Sequence, residues 1–132
     1  MTILETTRQI IQKHKLEEKL DFNPFKDRSQ NYFSNHEKFK DSYEKTTNLQ
    51  NKYENRVPMG WYGLDCSCWP INWLNALEEF LAELEKDSPD FEIQQVKMKF
   101  SSARIYLNNL SEAAWKAVNE LENAMQDDNL YW

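Results

Sequence analysis

Both glycines of this chain, Gly60 and Gly63, and two of its four prolines, Pro58 and Pro70, fall within residues 57–70 (VPMGWYGLDCSCWP). A chain so poor in glycine cannot supply the positive-φ turns of an all-β sandwich or barrel. It also lacks the glycine-rich loops that cradle nucleotide phosphates, which excludes nucleotide chemistry by the usual motifs. Over 132 residues, with 40 % hydrophobic content and five Trp, six Tyr and seven Phe, there is enough apolar surface to fold and too much for a disordered chain. No apolar run reaches the ~18 residues of a membrane span. The opening MTILETTRQIIQKHK lacks the basic, apolar, small-residue order of a signal peptide, so a soluble cytoplasmic protein is expected.

Helical spacing begins at once. Ile3, Ile10, Ile11, Leu16 and Leu20 recur among charges over residues 2–20, with Thr2 placed to cap and Glu5 three positions on. Asn23-Pro24 ends that helix. From Ser29 to about Asn55 there is neither Gly nor Pro, and Tyr32, His36, Phe39, Tyr43, Thr46, Gln50 and Tyr53 follow three- and four-residue steps. This aromatic and polar stripe suits packing on another surface better than a coiled coil, which wants Leu and Ile. Residues 1–57 therefore read as a helical N-terminal arm.

Residues 58–132 read as a compact helix, β-hairpin, helix (αββα) unit, which makes the chain α+β. Pro70 is placed as the first residue of a helix whose apolar face is Ile71, Leu74, Leu77, Phe80, Leu81 and Leu84. Asp87-Ser88-Pro89-Asp90 stops it. FEIQQVKMKFSSARIYL then reads as two strands, with a parity change that calls either for a bulge at Gln94-Gln95 or for a first strand covered in part on both faces. Ser111 caps a last helix whose inner stripe reads Ala114, Trp115, Val118, Leu121 and Met125, and residues 127–132 form a tail with two terminal aromatics.

The formal net charge of −6 is unevenly divided. Residues 1–57 hold 11 Lys and Arg against 9 Asp and Glu, a balance of +2, whereas residues 58–132 hold 5 against 13, a balance of −8. An acidic folded half argues against sequence-reading of DNA or RNA, which needs a basic patch. Cys66-Ser67-Cys68 lacks two further ligands at zinc spacing, since the only histidines, His14 and His36, lie far off in the arm, and a bridge across one residue is strained. Both thiols read as apolar fillers beneath Trp61, Trp69 and Trp73. The many carboxylates sit off the apolar helix face rather than opposed in a cleft, so no catalytic residue, metal site or cofactor is assigned. The surplus of aromatics points instead to a binding surface, because aromatic side chains dominate protein interfaces.

Gly60-Trp61-Tyr62, a Trp/Leu-rich helix, and then Phe91, Ile93, Gln95, Val96, Lys97, Lys99, Phe100, Arg104 and Tyr106 in the order FxIxQVKxKFxxxRxY resemble small proteins of phages and prophages, in which a GWY opening and a QVKxKFGGLRFY hairpin recur. The resemblance covers residues 58–110. Ser101-Ser102 stand where that family has Gly-Gly, which predicts a wider turn here. The family offers no catalytic residues to carry over. Its phage setting implies an accessory role, similar in style to inhibitors of bacterial defence such as anti-CRISPR proteins. On this reading the chain is a non-enzymatic inhibitor in the cytoplasm of a bacterial host. It would block a host protein or ribonucleoprotein defence complex, with Glu78, Glu79, Glu83, Glu85, Asp87 and Asp90 as acidic contacts and Tyr32, Phe33, Tyr43, Trp61 and Tyr62 as aromatic anchors. The alternative is an immunity protein or antitoxin that neutralises one cognate toxin. The long amphipathic helix also leaves a homodimer open.

Overall fold

The computed structural model describes residues 1–18 and 40–126. Within them the chain is α+β, in the order α1 (Ile3–Lys13), α2 (Lys40–Lys52), a 3-10 turn (Glu54–Arg56), β1 (Gly63–Leu64), α3 (Ile71–Asp87), β2 (Glu92–Lys99), β3 (Ser102–Asn108) and α4 (Glu112–Ala124). The strands form one sheet in the order β1-β2-β3, with β1 parallel and β3 antiparallel to β2. No helix among the described residues is long and apolar enough to cross a membrane.

β1 is the element that the sequence hides. Two residues carry no alternation to read, yet they add a strand to the sheet, and α3 is the crossover that a parallel pair requires. The loop-like stretch 57–70 is therefore part of the sheet, and the second half of the chain runs β, α, β, β, α. In β2 the pairing slips between Ile93↔Leu107 and Gln95↔Tyr106, leaving Gln94 as the extra residue. That bulge restores parity, so that Ile93, Val96 and Met98 all face the core with Ala103, Ile105 and Leu107. Both sheet edges make hydrogen bonds with the helices beside them. Gln50 Nε2 donates to Leu64 O (2.6 Å) on the β1 side. On the β3 side Ala103 N–H donates to Met125 O (2.9 Å) and Ile105 N–H to Glu122 Oε2 (2.7 Å).

The connection between β2 and β3 is tight, where a wider turn was expected. Lys99↔Ser102 closes the ladder, so Phe100 and Ser101 alone make the turn, with φ of 53° and 63°. Two positive φ values in succession are the mark of a type I′ turn, normally Asn-Gly. A bulky residue held in the left-handed region costs about 1–2 kcal/mol. Phe100→Asn with Ser101→Gly is therefore expected to raise the unfolding free energy by about 1 kcal/mol, read as a higher urea midpoint at unchanged slope.

Pro58 does not separate two cores. Ile3, Ile10 and Leu16 from α1 and its C-terminal turn, and Leu49 and Tyr53 from α2 and just after it, are buried in the same cluster as Leu77, Ile93 and Leu121. Thr2 Oγ1 accepts from Glu5 N–H (3.2 Å) at the start of α1, as its spacing predicts. Its end is a Schellman closure: Leu16 N–H donates to Ile11 O and Lys15 N–H to Gln12 O, with Lys15 at φ 54° and Leu16 buried. α2 docks differently. Its buried residues are Ser42, Thr46 and Leu49, and Ser42 Oγ donates to Trp69 O (2.7 Å). The predicted stripe is thus rotated: Tyr43 stands in solvent, Tyr53 is buried, and Tyr32, His36 and Phe39 lie outside the described residues.

Three helix details also differ. Pro70 is the N-cap of α3 rather than its first residue, because its ψ of 145° is extended. Ile71 is correspondingly exposed, while Trp73 and Ala76 join the buried face. On α4 the stripe is Ala114, Ala117, Val118, Leu121 and Ala124. Trp115 faces outward, since small alanines are what let α4 approach its neighbours closely.

Candidate functional site

The aromatic loop divides into a buried half and an exposed half. Trp69 and Trp73 are fully buried and meet edge to face, with ring centroids 5.8 Å apart at 77°. Trp61 is instead half exposed (50 %), beside Tyr62 at 76 % and a fully exposed Met59. The backbone explains the split. Trp61 N–H donates to Pro58 O (3.1 Å) across a turn in which Gly60 has φ +90°, the value a type II turn demands at its third position. Tyr62 N–H then donates to Gln94 O (3.2 Å), which ties the turn to the sheet. At Gly63, φ is +68° and a Cβ would lie 3.1 Å from Val57 Cγ2, so any other residue there is strained and crowds Val57. Met59, Trp61 and Tyr62 are thus held outward on a turn whose positive φ at Gly60 and Gly63 favours glycine.

The six acidic residues expected to meet a partner are largely engaged within the chain. Glu78 pairs with Lys45 (2.7 Å), Glu79 with Lys13 (2.6 Å) and with His14 Nε2 (3.1 Å), and Glu85 with Arg56 (3.7 Å). Glu83 pairs along its own helix with Lys86 (3.3 Å). Asp87 Oδ2 accepts from Ser88 Oγ (2.9 Å) and Ser111 Oγ (2.6 Å), and Asp90 is exposed at the following turn. Arg8 adds a two-pronged pair to Glu120, 2.9 Å from Nε and 2.8 Å from Nη2. Arg8, Lys13, Lys45 and Arg56 come from the basic first part of the chain and their carboxylates from the acidic second part. The charge asymmetry is in large measure internal complementarity, docking α1 and α2 onto α3 and α4. Of the aromatic anchors, Tyr43 is exposed on α2, and Tyr32 and Phe33 lie outside the described residues.

These pairs carry a pH signature. The hydrogen bond from Lys13 holds the Glu79 carboxyl below its usual 4.5, and the hydrogen bonds from Arg8 do the same for Glu120. A depressed folded pKa means that the contribution is present above about pH 4.5 and is lost as pH falls through the folded value. The melting temperature should therefore drop between pH 5 and pH 3. Glu79→Gln with Glu120→Gln should flatten part of that drop while lowering stability slightly at pH 7. An unchanged acid limb in the double variant would remove the assignment.

Nothing in the thiols favours reactivity. Burial pushes Cys66 up to about 12 and Cys68 up to about 11, so both stay protonated and unreactive at neutral pH. Thr46 Oγ1 donates to Cys66 Sγ (3.9 Å), which places that thiol in the packing between α2 and the loop. Among the described residues no three His, Cys, Asp or Glu side chains converge on a point that could hold a metal ion. Glu122 has its pKa raised by burial, but its carboxylate is occupied at the β3 edge. No family model, curated protein or solved structure matches this chain.

Besides Trp115 on α4, two exposed aromatics on the hairpin were not singled out as contacts. Phe100 sits on the β2–β3 turn and Tyr106 on the outer side of β3. For Tyr106 the signal was available in sequence, since it stands at opposite parity to Ile105 and Leu107. For Phe100 it was not, because only the register shows that the turn begins there.

Proposed function

We propose that the protein is a non-catalytic binding protein that docks on a macromolecular partner through Met59, Trp61 and Tyr62. Following the resemblance of residues 58–110 to phage and prophage proteins, the partner is a bacterial defence complex that it blocks. The observation carrying this reading is the outward display of three large side chains on a turn held by Gly60 and Gly63. Exposed aromatics that are already ordered before binding lose little conformational entropy on docking, and such residues make hot spots worth about 2 kcal/mol or more. The α3 carboxylates contribute less, because forming contacts with a partner would mean exchanging internal ion pairs. α1 and α2 serve in this reading as part of the core that supports the contact surface.

The test is affinity capture with tagged full-length protein from cells carrying a CRISPR system and from cells lacking one. A stoichiometric effector subunit is expected with the wild type. Trp61→Ala with Tyr62→Ala should lose it, with affinity falling at least 100-fold while the melting temperature holds. Capture undiminished in the double variant would remove the loop from the interface. Capture of one small toxin in place of an effector would reassign the partner.

A further inference from the structure

The outer face of the sheet concentrates charge of the sign that the rest of residues 58–132 lacks. Gln95, Lys97 and Lys99 of β2 and Ser102, Arg104 and Tyr106 of β3 alternate with the core-facing residues and pair across the two strands. Three of the five basic side chains of residues 58–132 are therefore gathered on one small surface. At its centre Lys97 and Arg104 stand directly opposite each other. Like charges across a strand pair destabilise a sheet, so folding alone gives no reason for them. None of the ion pairs among the described residues involves Lys97, Lys99 or Arg104. Glu122 lies near enough to feel the charge of Arg104 but forms no ion pair with it, and its Oε2 accepts from Ile105 N–H. Asp65 follows Leu64 at the β1 end of the Lys97 row and is exposed. Arg104 Nε is buried with no acceptor among the described residues. In a folded protein an unpartnered buried donor is the exception and calls for a counterpart.

Aromatic rings flank these cations. Tyr106 is 44 % exposed, two residues along β3 from Arg104 and opposite Gln95. Phe100, 74 % exposed, stands at the other end with Lys99 Nζ 5.4 Å from its ring centre. It keeps a left-handed backbone where Asn or Gly would be cheaper. From Lys99 to Gln95 the platform is about 13 Å long at ~3.3 Å per residue. Its order is ring, cation, a pair of cations, ring.

We propose that this face binds single-stranded nucleic acid without reading its sequence, Lys97, Lys99 and Arg104 holding phosphates while Tyr106 and Phe100 stack on bases. Each alternative occupant leaves part of the surface unused. An acidic peptide satisfies the cations but not the rings, and an apolar protein surface would bury the cations unpaired. A duplex needs a broader basic footprint than three side chains on a body of net charge −6. Sequence-averaged charge conceals the site, because the carboxylates of α3 and α4 outnumber these three cations.

The test is fluorescence anisotropy of short labelled oligothymidylate and oligouridylate with the full-length protein, so it does not depend on the defence-complex reading. Neutralising three phosphates of a single strand gives a log–log salt slope of about −2, so affinity should fall about 20-fold from 50 to 200 mM salt. Lys97→Gln with Lys99→Gln and Arg104→Gln should abolish binding while leaving the melting temperature equal or higher. Tyr106→Ala should weaken binding about tenfold and Tyr106→Phe should restore it. Binding to the ribo- but not the deoxyribo-oligomer, or the reverse, would name the strand. No binding at 50 mM salt, binding unaffected by the triple substitution, or equal binding of polyglutamate or of duplex would overturn the proposal.

Discussion

Ile10→Ala is expected to lower the stability of the whole protein by about 2–4 kcal/mol, in a single cooperative unfolding transition. Ile10 is buried on α1 in the same cluster as Leu77 and Leu121, so its removal opens a cavity in the one core rather than loosening an appended helix. Were residues 1–57 an arm, the change would leave the unfolding of the sheet and of α3 untouched and would appear as a separate early transition. Urea denaturation followed by tryptophan fluorescence separates the two, because Trp69 and Trp73 report the region beneath α3 and not α1 itself. The ion pairs cannot substitute for this burial. Arg8–Glu120 and Lys13–Glu79 are largely exposed, and exposed pairs contribute about 0–1 kcal/mol each.

The two tryptophans that bracket the Cys66–Cys68 stretch should behave in opposite ways. Trp69→Ala should cost about 3–5 kcal/mol, since the ring is fully buried against Trp73 at the start of α3. Trp69→Phe should recover most of that loss. It keeps apolar volume and removes an indole N–H that is buried without an acceptor among the described residues. Trp61→Ala, eight residues earlier, should change stability by no more than about 0.5 kcal/mol. Its effect should appear in partner binding instead. Thermal melts of the three variants beside the capture experiment would show whether structure and contact are divided between these positions. A large destabilisation by Trp61→Ala would mean that the turn is part of the core and would weaken the proposed contact surface.

How far each element was legible follows from how local its signal is. The caps at Thr2 and Ser111, the apolar face of α3 and the bulge at Gln94 depend on residues within a few positions of one another, and all are present in the structure. The turn at Phe100-Ser101 was misread for a comparable reason. Ser101-Ser102 looked like the turn because small residues stand there, but Lys99 pairs with Ser102, which puts Ser102 in β3 and the turn on Phe100-Ser101. The carboxylates of α3 were visible as an exposed row, but that they meet Lys13, Lys45 and Arg56 depends on helices far away in the chain.

The sequence by itself determined that this chain is α+β, where α1 and α4 begin and α3 ends, and that one glycine-bearing loop carries its aromatic cluster. Those properties rest on periodicity, capping and turn chemistry, which act over one or two turns of chain. Only the tertiary structure decided that β1 exists, that α1 shares the core, that Trp69 turns inward while Trp61 turns outward, and that Lys97, Lys99 and Arg104 share a face with Tyr106. Each of these depends on which distant surfaces come into contact. A two-residue strand has no pattern until a partner pairs with it, and a charge has no role until its neighbours in space are known.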